Sequence, residues 1–120
     1  MSIAAQVLIG LIAFIHLYIL WMEMFAWESR GPKVFKSFPK DLFSQTTTLA
    51  ANQGLYNGFL AAGLIWTFFI VSVEWRINIA TFFLVCIAVA GIYGALTADK
   101  KIIFVQTVPA VLALLAVYFT

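Results

Sequence analysis

The sequence is poor in charge: only 10% of its 120 residues are Asp, Glu, Lys or Arg, whereas 64% are hydrophobic. A water-soluble domain of this size needs more polar surface to cover its core, so the composition argues against a soluble protein. The net charge of +2 is too small to indicate a nucleic-acid partner, and the basic residues lie in short polar stretches. We therefore expect membrane lipid, and no nucleic acid, around this chain.

Metal ligands and paired cysteines are also scarce. Cys86 has no second cysteine to pair with, and His16 is the single histidine of the chain. One histidine cannot build a metal or haem site without a second subunit. The sequence therefore predicts no metal site and no bound cofactor.

Long apolar runs occupy most of the chain. A helix needs about twenty predominantly apolar residues to cross the hydrocarbon core of a bilayer, and we find four such runs at 3–27, 47–73, 77–97 and 102–120. The second and third connections are so short that the helices they join must be antiparallel neighbours. The sequence thus predicts an all-α fold: one transmembrane domain over residues 1–120, an integral membrane four-helix bundle that is antiparallel, up-down-up-down.

The basic residues predict the orientation of this bundle. With four spans, the first and third connections share one side of the membrane, and the termini share the other side with the second connection. Only Arg76 lies on the second side. The first side carries Arg30, Lys33, Lys36, Lys40, Lys100 and Lys101. The positive-inside rule therefore places both termini outside the cytoplasm.

Polar side chains recur near the cytoplasmic end of every span. Counting inward from the span ends, about four or five residues deep, gives one level that holds Glu23, Asn52, Gln53, Tyr93 and Gln106. Tyr56 and Asn57 extend this polar band inward, and His16 lies about 10 Å beyond Glu23 on the same helix face. Because all four spans contribute, we expect these side chains to meet and form a ligand-binding site.

Glu23 is the most informative residue of the band. A carboxylate at the centre of a span costs about 2.5–3.5 kcal/mol, so we expect Glu23 to face the bundle or water. Its shallow position would also let it pair with Lys40 or Lys100. The amide side chains and His16 have a simpler explanation, since such groups in membrane helices often only form hydrogen bonds to neighbouring helices.

Small residues and a proline suggest how the spans pack. Gly54, Gly58 and Ala62 repeat every four residues in the second span, and the third span has the pairs Ala90–Gly94 and Gly91–Ala95. We expect the second and third helices to approach closely along these stripes, which also permit a homodimer. Pro109 removes one backbone donor, which predicts a local kink beside Gln106.

Three stretches carry a resemblance to a known family: residues 52–64 (NQGLYNGFLAAGL), 90–95 (AGIYGA) and 106–110 (QTVPA). The first span adds His16, Tyr18, Glu23, Met24 and Trp27. On these residues the chain resembles, over essentially its whole length, the bacterial membrane-protein family named domain of unknown function 1304. The resemblance implies a four-helix fold and a bacterial inner-membrane location. It implies no reaction, because the family is uncharacterised.

Three functions fit these features. In the first, a polar cavity near the cytoplasmic leaflet binds a small amphipathic or lipid-like ligand; if the ligand is also a substrate, Glu23 and His16 are the acid–base groups, so enzymatic activity stays open. In the second, the protein is a proton-coupled exporter resembling small multidrug-resistance transporters, which also have four spans and one essential glutamate in the first helix. In the third, it is an accessory structural membrane subunit whose polar band fixes helix register.

Overall fold

The computed structural model describes residues 1 to 120, all in helices or short connections. We number the helices α1 (Ile3–Phe25), α2 (Trp27–Val34), α3 (Lys40–Gln45), α4 (Thr47–Trp66), α5 (Val73–Thr97) and α6 (Val108–Phe119). A 3-10 turn, Thr67–Phe69, extends α4, and a π-helical turn, Ile103–Thr107, leads into α6. The prediction of an all-α chain is confirmed.

Helices α1 and α4 form the most extensive helix pair of the fold and run antiparallel. Gly10 near the start of α1 faces Phe68 just beyond α4, whereas Leu20 near its end faces Gly58 in the middle of α4. The two backbones are close, because a Cβ on Gly54 would lie 3.2 Å from the carbonyl oxygen of Leu20. Glycine at 54 and 58 therefore permits this pairing.

Helices α5 and α6 also run antiparallel. The hydroxyl of Tyr118, near the end of α6, forms a 2.7 Å hydrogen bond with Thr81, in the first part of α5. The π-helical turn before α6 packs against the other end of α5. The hydroxyls of Ser2 and Thr120 lie 2.6 Å apart, so both termini are at the same end of the molecule.

The core lies where α1, α4, α5 and α6 meet, and small side chains dominate it. Its members are Ala5, Ile9, Ile12, Ala13, Leu64, Ala80, Leu84, Ile87, Ala88, Ala110, Ala113, Ala116 and Val117. Large apolar side chains point outward instead: Phe14 is 70% exposed, Phe69 78% and Phe119 80%. The molecule is therefore apolar on its outer surface as well as inside.

The small-residue stripes contact other neighbours than the sequence predicted. Gly54 and Gly58 face α1, where Leu20 lies against both, and Gly91 faces Thr107 of the π-helical turn. The expectation that the second and third helices pack together along these stripes is wrong. A repeat of small residues identifies a smooth helix face, but it does not identify the helix that covers that face.

The helix ends refine the predicted spans. Helix α5 begins at Val73, because the Ser72 hydroxyl accepts the Trp75 N–H at 3.3 Å and caps the helix. The predicted connection at 74–76 therefore lies in the first turn of α5. The distortion expected beside Pro109 takes the form of the π-helical turn directly before α6.

Two helices, Ile3–Phe25 and Val73–Thr97, are long and apolar enough to cross a membrane. The stretch Ile103–Phe119 is apolar but shorter. Helix α4 is as long as a span, but Asn52, Gln53 and Asn57 make it more polar. By length and composition, two helices thus suggest a membrane protein.

Candidate functional site

The structure separates the predicted polar residues into two hydrogen-bonded pairs and an exposed group. Glu23 meets Asn57, and His16 meets Gln106. The exposed residues are Asn52, Gln53, Tyr56 and Tyr93. The single polar band that the sequence predicted is therefore not formed.

The exposed group makes only local contacts. Asn52 donates its amide hydrogen to the carbonyl of Thr48 in its own helix, 3.1 Å away. The rings of Tyr56 and Phe59 lie 6.1 Å apart on the outside of α4, and Tyr93 is 69% exposed. None of these side chains reaches Glu23 or His16.

Glu23, 9% exposed, lies near the end of α1. Asn57 of α4 donates from Nδ2 to Oε1 of Glu23 over 2.8 Å, and it also donates to the carbonyl of Gln53 over 3.1 Å. The carboxylate is therefore held against α4 by an amide. This contact takes the place of the pairing with Lys40 or Lys100 that the sequence allowed.

The second carboxylate oxygen of Glu23, Oε2, has no hydrogen-bond partner and no lysine or arginine beside it. Every fully buried polar side-chain atom in the structure has a partner, so Oε2 must reach the surface. Glu23 borders a cleft of about 270 Å³, which we call the elbow cleft. The cleft is lined by Glu23, Met24, Phe25, Ala26, Trp27, Glu28, Ser29 and Thr47.

The elbow cleft lies where the chain changes direction between α1 and α2. Ala26 adopts φ −134° and ψ 27°, which ends α1 although its N–H still bonds to the carbonyl of Met22. Trp27 then begins α2, with its ring 4.9 Å from that of Phe43 and its Nε1 donating to Thr46 over 2.9 Å. These contacts hold α2 at an angle to α1 and leave the gap beside Glu23.

Helices α2 and α3 form a small aromatic cluster of their own. The Phe38 and Phe43 rings meet edge to face at 5.0 Å, and Trp27 packs against both. Gly31 is required beneath them, because a Cβ there would lie 2.7 Å from the Phe43 ring. The connection from residue 29 to 46 is thus a folded element that fixes one wall of the elbow cleft.

His16 is fully buried and bonded through both ring nitrogens. Its Nδ1 lies 2.8 Å from the carbonyl oxygen of Ile12, which can only accept, so Nδ1 carries a proton. Its Nε2 lies 3.2 Å from the amide nitrogen of Gln106, which can only donate. The geometry therefore assigns a neutral imidazole with its proton on Nδ1, which ties α1 to the π-helical turn.

The contact between His16 and Gln106 shows that Gln106 does not lie at the level of Glu23. Gln106 was expected at the level of Glu23, but it lies at the level of His16, about 10 Å away along α1 at 1.5 Å per residue. The predicted level requires that all four helices end at the same height. Helix α1 instead extends past the turn between α5 and the π-helical turn.

Thr107 is a buried polar residue that the sequence did not assign to a site. Its hydroxyl donates to the carbonyl of Ala88 in α5 over 2.9 Å. The π-helical turn thus directs two successive side chains, Gln106 and Thr107, to different helices. The available signal was Gly91, which lies opposite Thr107 and leaves space for its hydroxyl.

Comparison with known proteins adds a family but no activity. The family model described as "Protein of unknown function (DUF1304)" matches residues 10–118. The chain is 37% identical over 121 residues to the uncharacterized protein YpaA of Lactococcus lactis subsp. lactis (strain IL1403), an alignment that covers 99% of this chain and 100% of that protein. No solved structure matches the chain significantly. With the match over nearly its whole length, the chain belongs to the DUF1304 family of proteins of unknown function.

Proposed function

We propose that the protein is an integral membrane four-helix bundle of the bacterial inner membrane. Its spans are α1, α4, α5 and the stretch Ile103–Phe119, arranged up-down-up-down. At a rise of 1.5 Å per residue, α1 and α5 are about 35 and 38 Å long, against a hydrocarbon core of about 30 Å. The outward-facing Phe14, Phe69 and Phe119 support this placement, because lipid and not water is the solvent such side chains prefer.

The orientation we propose has both termini outside the cytoplasm. The contact between Ser2 and Thr120 supports a shared side for the two termini. Arg76 lies at the start of α5, where it donates to the carbonyl of Ile70 over 2.7 Å, whereas the other lysines and arginines belong to the connections at the opposite end. The positive-inside rule then directs that end to the cytoplasm.

Cysteine labelling tests this orientation. In a Cys86→Ser background, Val71→Cys introduces a thiol at an exposed position between α4 and α5, and Ser37→Cys introduces one between α2 and α3. A membrane-impermeant maleimide added to spheroplasts is expected to label position 71 at once and position 37 only after permeabilisation. The reverse pattern would invert the orientation, and labelling of both positions from outside would rule out the four-span arrangement.

We propose that the elbow cleft binds the polar end of a small amphipathic or lipid-like ligand. The observation that carries this proposal is Glu23 itself, which lines this cleft, is only 9% exposed and has an Oε2 without a hydrogen-bond partner. A volume of about 270 Å³ fits a headgroup and not a whole lipid. Phe25, which is 74% exposed beside the cleft, gives an apolar surface against which the alkyl chain of the ligand packs.

Photo-crosslinking tests the binding site. The probes are amphiphiles that share one diazirine-bearing alkyl chain and differ in headgroup: ammonium, neutral sugar or sulfate. At least one is expected to label residues 23–29 saturably in the purified protein. Thr47→Trp places a large ring at the rim of the cleft and should lower this labelling several-fold, whereas Thr97→Trp, at an exposed position at the end of α5, should leave it unchanged. Labelling spread evenly over the apolar surface with every probe would refute the proposal.

A further inference from the structure

The elbow cleft has an acidic lining with no basic side chain. Glu23 and Glu28 both border it, and its remaining lining residues are neutral. The nearest candidate cation in sequence, Arg30, donates from Nε to the hydroxyl of Tyr18 over 2.9 Å, and no cation pairs with Glu23. Lys40 lines an adjacent pocket together with Glu28, so Glu23 is the carboxylate of the cleft that the protein leaves without a counter-charge.

The two carboxylates differ in what surrounds them. Glu28 is exposed and lies in the first turn of α2, where the positive end of the helix dipole stabilises its negative charge. Glu23 has no such compensation, since it lies near the end of α1, the negative end of that helix dipole. One oxygen accepts a hydrogen bond from Asn57 at 2.8 Å, and the other has no hydrogen-bond partner in a side chain that lines the cleft. Glu23 is thus the group that lacks a counterion.

The aromatic wall of the elbow cleft suits the same kind of ligand. Trp27 lines the cleft. Its ring is held in place by the ring of Phe43, with the two ring centres 4.9 Å apart, and by its hydrogen bond to Thr46. An indole ring attracts ammonium groups through its negative face, and the attraction grows when the site is shielded from water. A fixed indole beside an unpaired carboxylate selects a cation in preference to an anion or a sugar.

We infer that the elbow cleft selects amphiphiles whose polar end is an ammonium group, with Glu23 Oε2 as the counterion and Trp27 as the aromatic contact. This inference rests on the proposed function and adds the chemical class of the ligand. The ammonium group becomes the partner that Oε2 lacks within the protein. The attached alkyl chain leaves the cleft along the exposed apolar surface near Phe25. Binding is non-covalent, so no bond is formed or broken.

The same three probes measure selectivity. Half-saturation of labelling at residues 23–29 is expected at a concentration about tenfold lower for the ammonium probe than for the sugar or sulfate probe. Glu23→Gln should abolish this preference, because glutamine can still accept the Asn57 hydrogen bond but carries no charge. Glu28→Gln, at an exposed position that does not enter the core, should reduce it several-fold. Glu74→Gln, in the exposed first turn of α5, is the matched control and should leave it unchanged.

The outcomes separate the two proposals. The charge selectivity would be overturned, and the binding site left intact, by either of two results. One is saturable labelling of the cleft that favours the sugar or sulfate probe, and the other is an ammonium preference that survives Glu23→Gln. Failure of all three probes to label residues 23–29 would overturn the binding site, and the selectivity with it. Circular dichroism of each variant shows whether lost labelling reflects lost helix.

Discussion

Gly91→Ala is expected to lower the free energy of unfolding by about 2 kcal/mol, in the range for overpacked cores. A Cβ at this position would lie 2.8 Å from the backbone nitrogen of Thr107 and 2.9 Å from Cβ of Gln106, and it would collide with the Thr107 hydroxyl. A backbone atom cannot rotate away as the end of a side chain can. Helix α5 and the π-helical turn must therefore separate, which breaks the hydrogen bond from Thr107 to Ala88. Unfolding by SDS in mixed micelles measures the loss.

Gly10→Ala is the matched control for this change, since it makes the same substitution inside a helix. Its new Cβ would meet only Cζ of Phe68, at an ordinary 3.8 Å. Alanine favours the helix over glycine by up to about 1 kcal/mol, so this variant should be as stable as the wild type or more stable. Equal effects at positions 10 and 91 would mean that the close approach at Gly91 does not limit packing.

The sequence predicted the long helices from local signals, but it did not predict α2 and α3. Apolar runs of span length define α1 and α5, and the proline at 109 marks the distorted start of α6. The break at Ala26 has no such signal. Alanine is the strongest helix former, so the end of α1 goes with a tertiary contact: Trp27 packs against Phe43, whose position depends on the fold of α2 and α3.

The candidate site could be predicted only where a residue carries a signal of its own in the sequence. Glu23 was expected to face the bundle or water, since a lone carboxylate in an apolar helix has few other stable positions, and its side chain is 9% exposed. Its partner, Asn57, was among the predicted residues but was not matched to it. The cleft residues Glu28, Ser29 and Thr47 were missed, because they come together only through the break at Ala26.

The two hydrogen-bonded pairs differ in the polar atoms that they leave free. His16 has both nitrogens engaged and no open side, so its geometry is that of a structural link between α1 and the π-helical turn. Glu23 has one engaged oxygen and one free oxygen. A residue that both links helices and borders a cleft can convert ligand binding into a change in helix contacts. The link from Glu23 to Asn57 is therefore the contact through which the proposed ligand would act on the packing of α1 against α4.

Asn57→Leu is expected to lower the free energy of unfolding by about 2 kcal/mol, because it removes the donor and leaves Oε1 of Glu23 buried without a partner. The double variant Glu23→Leu with Asn57→Leu should recover most of this loss, since an apolar pair leaves no polar atom unsatisfied. SDS unfolding of both single variants and the double variant gives the coupling between the two sites.

Asn52→Leu is the matched control: its amide bonds only to Thr48 on the exposed side of the same helix, so its effect should stay within about 0.5 kcal/mol. Equal losses at 52 and 57, or additive losses at 23 and 57, would show that the link does not stabilise the packing of α1 on α4.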